Sequence, residues 1–367
     1  MFQRLIRIWS EPMRSGEIVG IQYLRGFAVL LVVLSHATTV VAFDKYFGGA
    51  AAFRGVLGWG GVGVELFYVI SGFIIVAVSL RPETLEPRRT IPEFIWRRFA
   101  RIIPLMWLAV ASYACLRYLG RGSADLSPIL RTMVLWPIGP LEPIPMWSLR
   151  QEWLFYLLFS VAMLHTQRRT WVLLAWFISP AIVGLFRSEV ASDSALGWAL
   201  WVFFNPTNVE FGFGFLIGLA YLRWRKALGD QSLGFGFAVA CLMSVAFLGL
   251  ANLLKLDFNT TGKALISASI CAGILLVALR IAPEDGPFAR IGRMIGDASY
   301  SIYLFHPGIL SALFGIWAKL APDAQIELVS LVGSVVAVVS GVVVHHAVER
   351  PLVRFVQVTV PRLAREA

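Results

Sequence analysis

The sequence predicts an all-α polytopic membrane protein, a bundle of about ten transmembrane helices with both termini in the cytoplasm. Hydrophobic residues make up 58% of the 367 positions, more than is usual for a soluble domain. They form runs of about 17 to 22 residues, which is the length of a helix that crosses a bilayer. A transmembrane β-barrel would instead show short segments of alternating hydrophobicity, so the runs favour helices.

The apolar runs locate the predicted spans in order along the chain. They cover 21–42, 62–80, 102–119, 147–164, 171–187, 207–222, 233–251, 264–281, 299–318 and 327–347. The connection at 117–146 holds five prolines and is expected to be irregular rather than helical. The tryptophans of segment 188–206 predict that it lies at the outer membrane surface.

The distribution of Lys and Arg predicts the orientation of these spans. With a cytoplasmic N-terminus, the inner segments hold 21 of the 32 basic residues and the outer segments hold 10. Basic residues collect in cytoplasmic loops, so both termini are assigned to the cytoplasm. The chain then divides into a cytoplasmic N-terminal segment, 1–20, a transmembrane domain, 21–350, and a cytoplasmic tail, 351–367.

The net charge of +10 has the same origin and does not indicate nucleic-acid binding. Cys115, Cys241 and Cys271 all fall within apolar spans and show neither metal-ligand spacing nor a disulfide framework. The sequence therefore predicts no metal site and no nucleic-acid partner.

The most informative polar residues are Arg25 and His36, eleven residues apart in the first span. Eleven steps of about 100° return a helix to within about 20° of its starting face, about 16 Å further along. Ionisable groups inside hydrocarbon are costly and usually face a protein interior or a water-filled cavity. We therefore expect chemistry at this pair, with a hydrogen-bonded packing histidine as the alternative.

Two carboxylates, Glu65 and Glu152, fall in the outer halves of their spans, at the depth predicted for His36. A carboxylate that orients an imidazole makes the ring a better general base. The sequence thus favours one site that contains all three residues. The alternative is three independent groups near the membrane surface.

A basic cluster, Arg97, Arg98 and Arg101, leads into the third span from the cytoplasmic side. Arg98 and Arg101 share a helix face, and such a pair can hold phosphate groups through forked hydrogen bonds. Taken alone, the cluster is explained better by contact with anionic lipid headgroups.

The ninth span is unusually polar, with Ser299, Tyr300, Tyr303 and His306 in its first half. These residues indicate either a helix face toward a cavity or hydrogen bonds between helices. The glycines of GWGGVG, residues 58–63, have the spacing of a dinucleotide fingerprint but lack the preceding strand that it needs. We interpret them as backbone that permits close helix approach.

Seven segments, in order, resemble motifs of the acyltransferase-3 family of bacterial integral membrane acyltransferases. They are YLRGFAVLLVVLSHA, GVGVELFYVISGFII, RRFARIIPL, MWSLRQEWLFYLLF, NVEFGFGFLIGLA, SYSIYLFHP and VERP. They extend over nearly the whole chain, and their order makes the resemblance specific. Ser35 and Ala37 depart from the pattern, because many members carry a tyrosine before the histidine and an aromatic or acidic residue after it.

The resemblance implies roles for individual residues. The Arg-x10-His signature falls on Arg25 and His36, and Glu152 or Glu65 would orient the histidine. His36 would deprotonate the acceptor hydroxyl or accept the acyl group itself, while Arg25 would position the donor thioester. The residues implied in donor binding are Arg97, Arg98, Arg101, Ser71, Tyr300, Tyr303 and His306.

The resemblance also implies a function, that of an O-acetyltransferase in the bacterial inner membrane. It would move an acyl group, with acetyl as the expected one, from acetyl-CoA to a hydroxyl of a glycan such as an exopolysaccharide or lipopolysaccharide. A lipid-linked glycan is a further candidate acceptor, membrane lipids are the surrounding partners, and no metal takes part.

Without the family motifs, the same helices and buried titratable groups would suit a proton-coupled transporter or a flippase of a polysaccharide precursor. A scaffold within a polysaccharide assembly complex is a third, weaker interpretation.

Overall fold

The computed structural model describes residues 18–49, 52–53, 61–123, 125–164, 169–184, 194–224, 260–281 and 286–359. Within these ranges the chain is helical apart from its connections and one isolated β-bridge between Leu80 and Pro87. The helices are α1 (Val19–Val40), α2 (Val62–Ser79), α3 (Ile91–Arg121), α4 (Leu126–Met133), α5 (Met146–Ala162), α6 (Arg169–Gly184), α7 (Ala195–Phe203), α8 (Asn208–Trp224), α9 (Thr260–Ala278), α10 (Pro287–Leu320) and α11 (Ile326–Val344). The all-α prediction is confirmed for the described ranges.

Five of these helices, α1, α2, α3, α10 and α11, are long and apolar enough to cross a membrane. The last of them continues through wider helical turns, so that its apolar stretch extends over Ile326–Gln357. Two shorter apolar helices cover Thr170–Pro180 and Gly262–Ala278. The chain is thus a multi-pass membrane protein. The count of about ten spans and the cytoplasmic termini stay predictions, and the span at 233–251 lies outside the described residues.

Two helices begin earlier than the hydrophobicity pattern predicted. The third helix, α3, begins at Ile91 instead of 102, and α10 begins at Pro287 instead of 299. Each has a proline in its first two positions, where the missing amide hydrogen has no intrahelical partner to lose. The basic first turns of α3 therefore belong to the same rigid helix as its apolar part.

The connection at 117–146 contains a helix, α4, which corrects the expectation of an irregular loop. The Asp125 side chain caps it by accepting a hydrogen bond from the Ser127 amide at 3.0 Å. Pro128 follows within the first turn, where proline is tolerated. The proline count misled the prediction because position within a helix, and not number, decides whether proline breaks it.

Glycines bring α2 and α8 into backbone contact. A Cβ atom on Gly214 would lie 1.9 Å from the Val69 carbonyl oxygen, and one on Gly72 would lie 2.3 Å from that of Phe211. No larger side chain fits at either position without separating the helices. This contact fixes the orientation of α2, whose residues Ser71 and Tyr68 line a cavity.

The glycine interpretation of GWGGVG is confirmed at Gly63. A Cβ atom there would lie 2.3 Å from the Ala28 carbonyl oxygen, so α1 and α2 touch at this level. Gly61 has open space around it, while Gly58 and Gly60 lie outside the described residues.

Candidate active site

A cavity of about 410 Å³ lies between α1, α2, α3, α5 and α10. Along α2 it extends from Val64 to Val78, which are 14 residues or about 21 Å apart. Its wall includes seven of the residues predicted to react or bind the donor: Arg25, Ser71, Arg98, Arg101, Glu152, Tyr300 and Tyr303. The sequence therefore predicted a set of residues that the fold brings together from five helices.

One end of this cavity is basic. Arg98 and Arg101 also line a second cavity of about 160 Å³, together with Arg89 and Arg97, so the two arginines stand where the cavities meet. The Arg98 guanidinium lies 5.1 Å from the centre of the Tyr156 ring. In the part of the chain that the structure describes, neither Arg98 nor Arg101 forms a salt bridge. Their charges are available to a ligand.

Arg97 lies outside the larger cavity. Its side chain is exposed, and its Nε donates a hydrogen bond to Glu93 Oε1 at 3.2 Å. Arg89 donates to the same carboxylate oxygen at 3.0 Å. The charge of Arg97 is thus partly neutralised by Glu93. Arg97 lines only the smaller cavity, whereas Arg98 and Arg101 line both cavities.

Glu152 belongs to the arginine end of the cavity. It accepts hydrogen bonds from Ser71 Oγ at 2.8 Å and from the Tyr156 hydroxyl. Arg25, whose Nη1 donates to Gln22 Oε1 at 3.2 Å, lies within electrostatic range of this carboxylate. The side chains that orient Glu152 are therefore Ser71 and Tyr156, and its charge acts on Arg25.

His36 contacts a second histidine, His306 of α10. The His36 Nδ1 and His306 Nε2 atoms are 2.9 Å apart, and the two rings stack with their centroids 5.0 Å apart. We call this pair the histidine dyad. It joins α1 to α10 and is made by residues 270 positions apart in the sequence.

The surroundings of His306 determine which nitrogen atoms of the dyad carry protons. His306 Nδ1 lies 2.7 Å from the Tyr303 carbonyl oxygen, which can only accept a hydrogen bond. In a neutral ring the His306 Nε2 is then the acceptor, so His36 Nδ1–H donates to it. The remaining nitrogen of His36, Nε2, keeps its lone pair, as a general base requires.

The dyad stands next to the cavity, behind the Tyr303 ring, which packs on His306 and on Phe67. Tyr303 and Phe67 both line the cavity, and the Tyr303 ring lies 5.7 Å from His306 and 6.1 Å from Phe67. The Tyr303 hydroxyl donates to the Pro145 carbonyl oxygen at 2.9 Å and lies 2.5 Å from Ser148 Oγ. Tyr303 and His306 were predicted to bind the donor. Tyr303 reaches the cavity, whereas His306 is fully buried beside His36.

The predicted common depth of His36, Glu65 and Glu152 is not observed. Glu65 accepts a hydrogen bond from Ser267 and follows Gly63, which contacts the Ala28 carbonyl. His36 is eight residues further along α1 than Ala28, or about 12 Å. Glu65 therefore lies too far along the bundle to orient His36, whose hydrogen-bond partner is the His306 imidazole. The sequence placed each group by counting residues from the ends of its own span, and this count does not show where neighbouring helices contact each other.

A buried carboxylate, Glu349, was missed by the sequence reasoning. It accepts hydrogen bonds from Ser301 Oγ at 2.6 Å and from His345 Nδ1 at 2.7 Å. Glu349 also lies within electrostatic range of Arg25. The available signal was the VERP motif, which contains Glu349, and His345 is buried in the same cluster.

The fold and the cavity define a class: a multi-pass helical membrane protein with a basic cavity that ends beside a histidine dyad in which His306 is buried and His36 partly buried. The model of an acyltransferase domain family matches residues 18–347, and the chain belongs to that family. It is an acyltransferase.

Named relatives cover most of the chain. It is 29% identical to the exopolysaccharide production protein ExoZ of Rhizobium meliloti (strain 1021) over 80% of this chain and 90% of that protein. It is 24% identical to the acyltransferase MdmB of Streptomyces mycarofaciens over 94% of this chain and 93% of that protein. It is 26% identical to BcsY of Komagataeibacter xylinus, named as a membrane-bound transacylase, over 90% and 82%. No solved structure matches the chain.

Proposed function

We propose that the protein transfers an acyl group, acetyl in the first place, from acyl-CoA to a hydroxyl group of a polysaccharide at the bacterial inner membrane. One observation carries the proposal: a single cavity extends from Arg98 and Arg101, which form no salt bridge with the described residues, to the Tyr303 ring, which packs on His306 of the histidine dyad. The acceptor class is supported by the relative named for exopolysaccharide production.

The arginine end suits the nucleotide part of acyl-CoA. Guanidinium groups bind phosphate through paired hydrogen bonds, and Arg98 and Arg101 present two of them at one rim. This end would face the cytosol, where acyl-CoA is made. The narrow arm of the donor would extend along α2 past Ser71 and Arg25, and Arg25 would stabilise negative charge that develops on the thioester oxygen.

The histidine dyad suits proton removal from the acceptor. His36 Nε2 would take the proton of the acceptor hydroxyl while its oxygen attacks the thioester carbonyl carbon. The bond between that carbon and sulfur then breaks, and the sulfur leaves as the CoA thiol after it receives the proton from His36. His306 would hold His36 in the required tautomer, a role that the sequence had given to Glu152 or Glu65.

For the thioester to reach His36, the Phe67 ring or the Tyr303 ring must move. Phe67 makes no hydrogen bond, whereas the Tyr303 hydroxyl is held by Pro145 and Ser148. We therefore assign the movement to Phe67.

The two possible routes differ in one observable species. In direct transfer, His36 removes a proton and never carries the acyl group. In the covalent route, His36 Nε2 attacks the thioester, and an acyl-histidine accumulates when the donor is supplied without acceptor. Incubation with radiolabelled acetyl-CoA, followed by peptide mass spectrometry, distinguishes the routes, and His36→Ala is the control that must remain unlabelled.

The donor is tested by thermal unfolding of the purified protein with acetyl-CoA. A ligand that binds only the folded protein raises the free energy of unfolding, by about 2.7 kcal/mol when its concentration is a hundred times Kd. The melting temperature rises as a result. A rise with acetyl-CoA and none with an equal concentration of acetate supports the proposal. No rise at millimolar acetyl-CoA would favour proton-coupled transport instead.

A further inference from the structure

A second large pocket lies at the end of the bundle opposite the arginines. Its volume is about 540 Å³, within the range of about 300 to 1,000 Å³ that is typical of small-molecule sites. Glu65, in the first turn of α2, lines it, whereas the arginine rim is reached from Val78 at the other end of this helix. We call it the tryptophan pocket, because Trp147, Trp198 and Trp201 form part of its wall.

The tryptophan rings are held in fixed positions. Trp201 lies 6.4 Å from Trp147 and 6.0 Å from Trp198, measured between ring centroids. The guanidinium of Arg150 lies 5.8 Å from the Trp201 ring and 5.9 Å from the Trp198 ring. Its Nη1 donates to the Trp136 and Gly139 carbonyl oxygens, both at 3.1 Å. Arg150 is therefore a support for the aromatic wall, which is preorganised for a ligand.

The polar part of the pocket has unused hydrogen-bonding capacity. Glu210 is only 1% exposed, and its Oε2 has no hydrogen-bond partner among the described residues. The Thr207 hydroxyl oxygen is likewise buried and unpaired within those ranges. Both residues line the pocket. Buried polar atoms are normally satisfied, so these two indicate a ligand that brings hydroxyl groups.

These features together match a sugar. A pyranose ring packs its C–H face on an aromatic ring, and its hydroxyl groups donate to carboxylate oxygens. Arg150 and Lys263 also line the pocket, so its two carboxylates are matched by two cations and the lining does not select for an anionic lipid headgroup. We propose that the tryptophan pocket binds a sugar residue of the acceptor polysaccharide, which approaches from the face opposite the arginines. This inference rests on the proposed function for the identity of the reaction.

The position of the pocket suits transfer. Trp147 lines the tryptophan pocket, while the next residue, Ser148, lines the donor cavity. The Trp147 ring lies 6.3 Å from that of Tyr68, which also lines the donor cavity. Ser148 in turn contacts Tyr303, whose ring packs on His306. The start of α5 thus forms a wall between the two compartments, with Trp147 on one side and Ser148 on the other.

Binding of oligosaccharide to the full-length protein in detergent tests the proposal. The probe is the surface polysaccharide of the producing cells, cut into oligosaccharides and freed of ester groups by mild alkali. Calorimetric titration compares wild type with Trp201→Ala and with Glu210→Gln, which keeps the size of the side chain. The control is Trp171→Ala, since Trp171 is 74% exposed on α6, away from the pocket.

We expect Kd for the oligosaccharides to rise at least about tenfold in Trp201→Ala and Glu210→Gln and to stay unchanged in Trp171→Ala. The Kd for acetyl-CoA should be the same in all four proteins. Equal oligosaccharide affinity in all four would overturn the proposal, as would binding of a short-chain phosphatidylglycerol, and not of oligosaccharide, through Trp201. If oligosaccharide binds through Trp201 but acetyl-CoA does not bind at all, the pocket is supported and the proposed donor is refuted.

Discussion

Replacement of His306 by leucine tests the histidine dyad most directly. The substitution removes the atom that accepts the hydrogen bond from His36 Nδ1 at 2.9 Å. The free ring is no longer held in the tautomer that leaves Nε2 unprotonated. A hydrogen bond in a protein contributes about 1 to 2 kcal/mol, which corresponds to a factor of about 5 to 30 in the population of that tautomer.

We therefore expect kcat to fall about 5- to 30-fold in His306→Leu, with no change in the KM for acetyl-CoA, because the donor does not contact His306. His36→Ala should lose about 10²- to 10⁴-fold, the usual contribution of a general base. His306→Gln is the conservative variant, since its side-chain oxygen can occupy the place of Nε2 and accept the same hydrogen bond. It should recover most of the activity.

The assay is transfer of radiolabelled acetyl from acetyl-CoA to de-esterified surface polysaccharide, with thermal unfolding of each variant as the folding control. The double variant His36→Ala with His306→Leu should be no slower than His36→Ala alone, because His306 acts only through His36. Wild-type kcat in a folded His306→Leu protein would refute the tautomer reasoning. So would a double variant in which the two losses multiply.

The donor rim and the helix contacts give two further predictions. Arg98→Ala should raise the KM for acetyl-CoA about tenfold, because the cavity loses a guanidinium that forms no salt bridge with the described residues. Arg97→Ala should change this KM less than about twofold, since that side chain is exposed and bound to Glu93. Gly214→Ala should lower stability by about 1 to 3 kcal/mol or more, because its new methyl group meets the Val69 carbonyl at 1.9 Å. Gly61→Ala, with nothing within 4 Å, should leave the melting temperature unchanged.

For each pair of variants, one result would contradict the prediction. Equal KM values in the two arginine variants would show that the basic rim acts only through its total charge, as it would on lipid headgroups. Equal melting temperatures in the two glycine variants would show that α2 and α8 can separate without cost.

The parts of the site that follow from helix geometry were predictable from the sequence. Helix period placed Arg25 on one face of its span and Arg98 on one face with Arg101, while Ser71 came from the family resemblance, and all of these residues line the same cavity. The partner of His36 was not predictable in this way. A hydrogen bond across 270 positions depends on how α1 and α10 pack, and the sequence offered Glu152 only because its estimated depth matched. Depth estimates that count residues from the ends of each span do not show where two helices contact each other, as α1 and α2 do at Ala28 and Gly63.

The unbroken helix α1 fixes the distance and the relative direction of Arg25 and His36. Gly26 packs within 3.2 Å, measured from an ideal Cβ, of the Gly296 backbone, so α1 cannot slide along α10 to compensate for a change in length. One inserted residue would turn His36 away by about 100° and shift it by about 1.5 Å. We therefore expect the chain to accept insertions and deletions in the loops beyond the ends of α1, and none between Arg25 and His36.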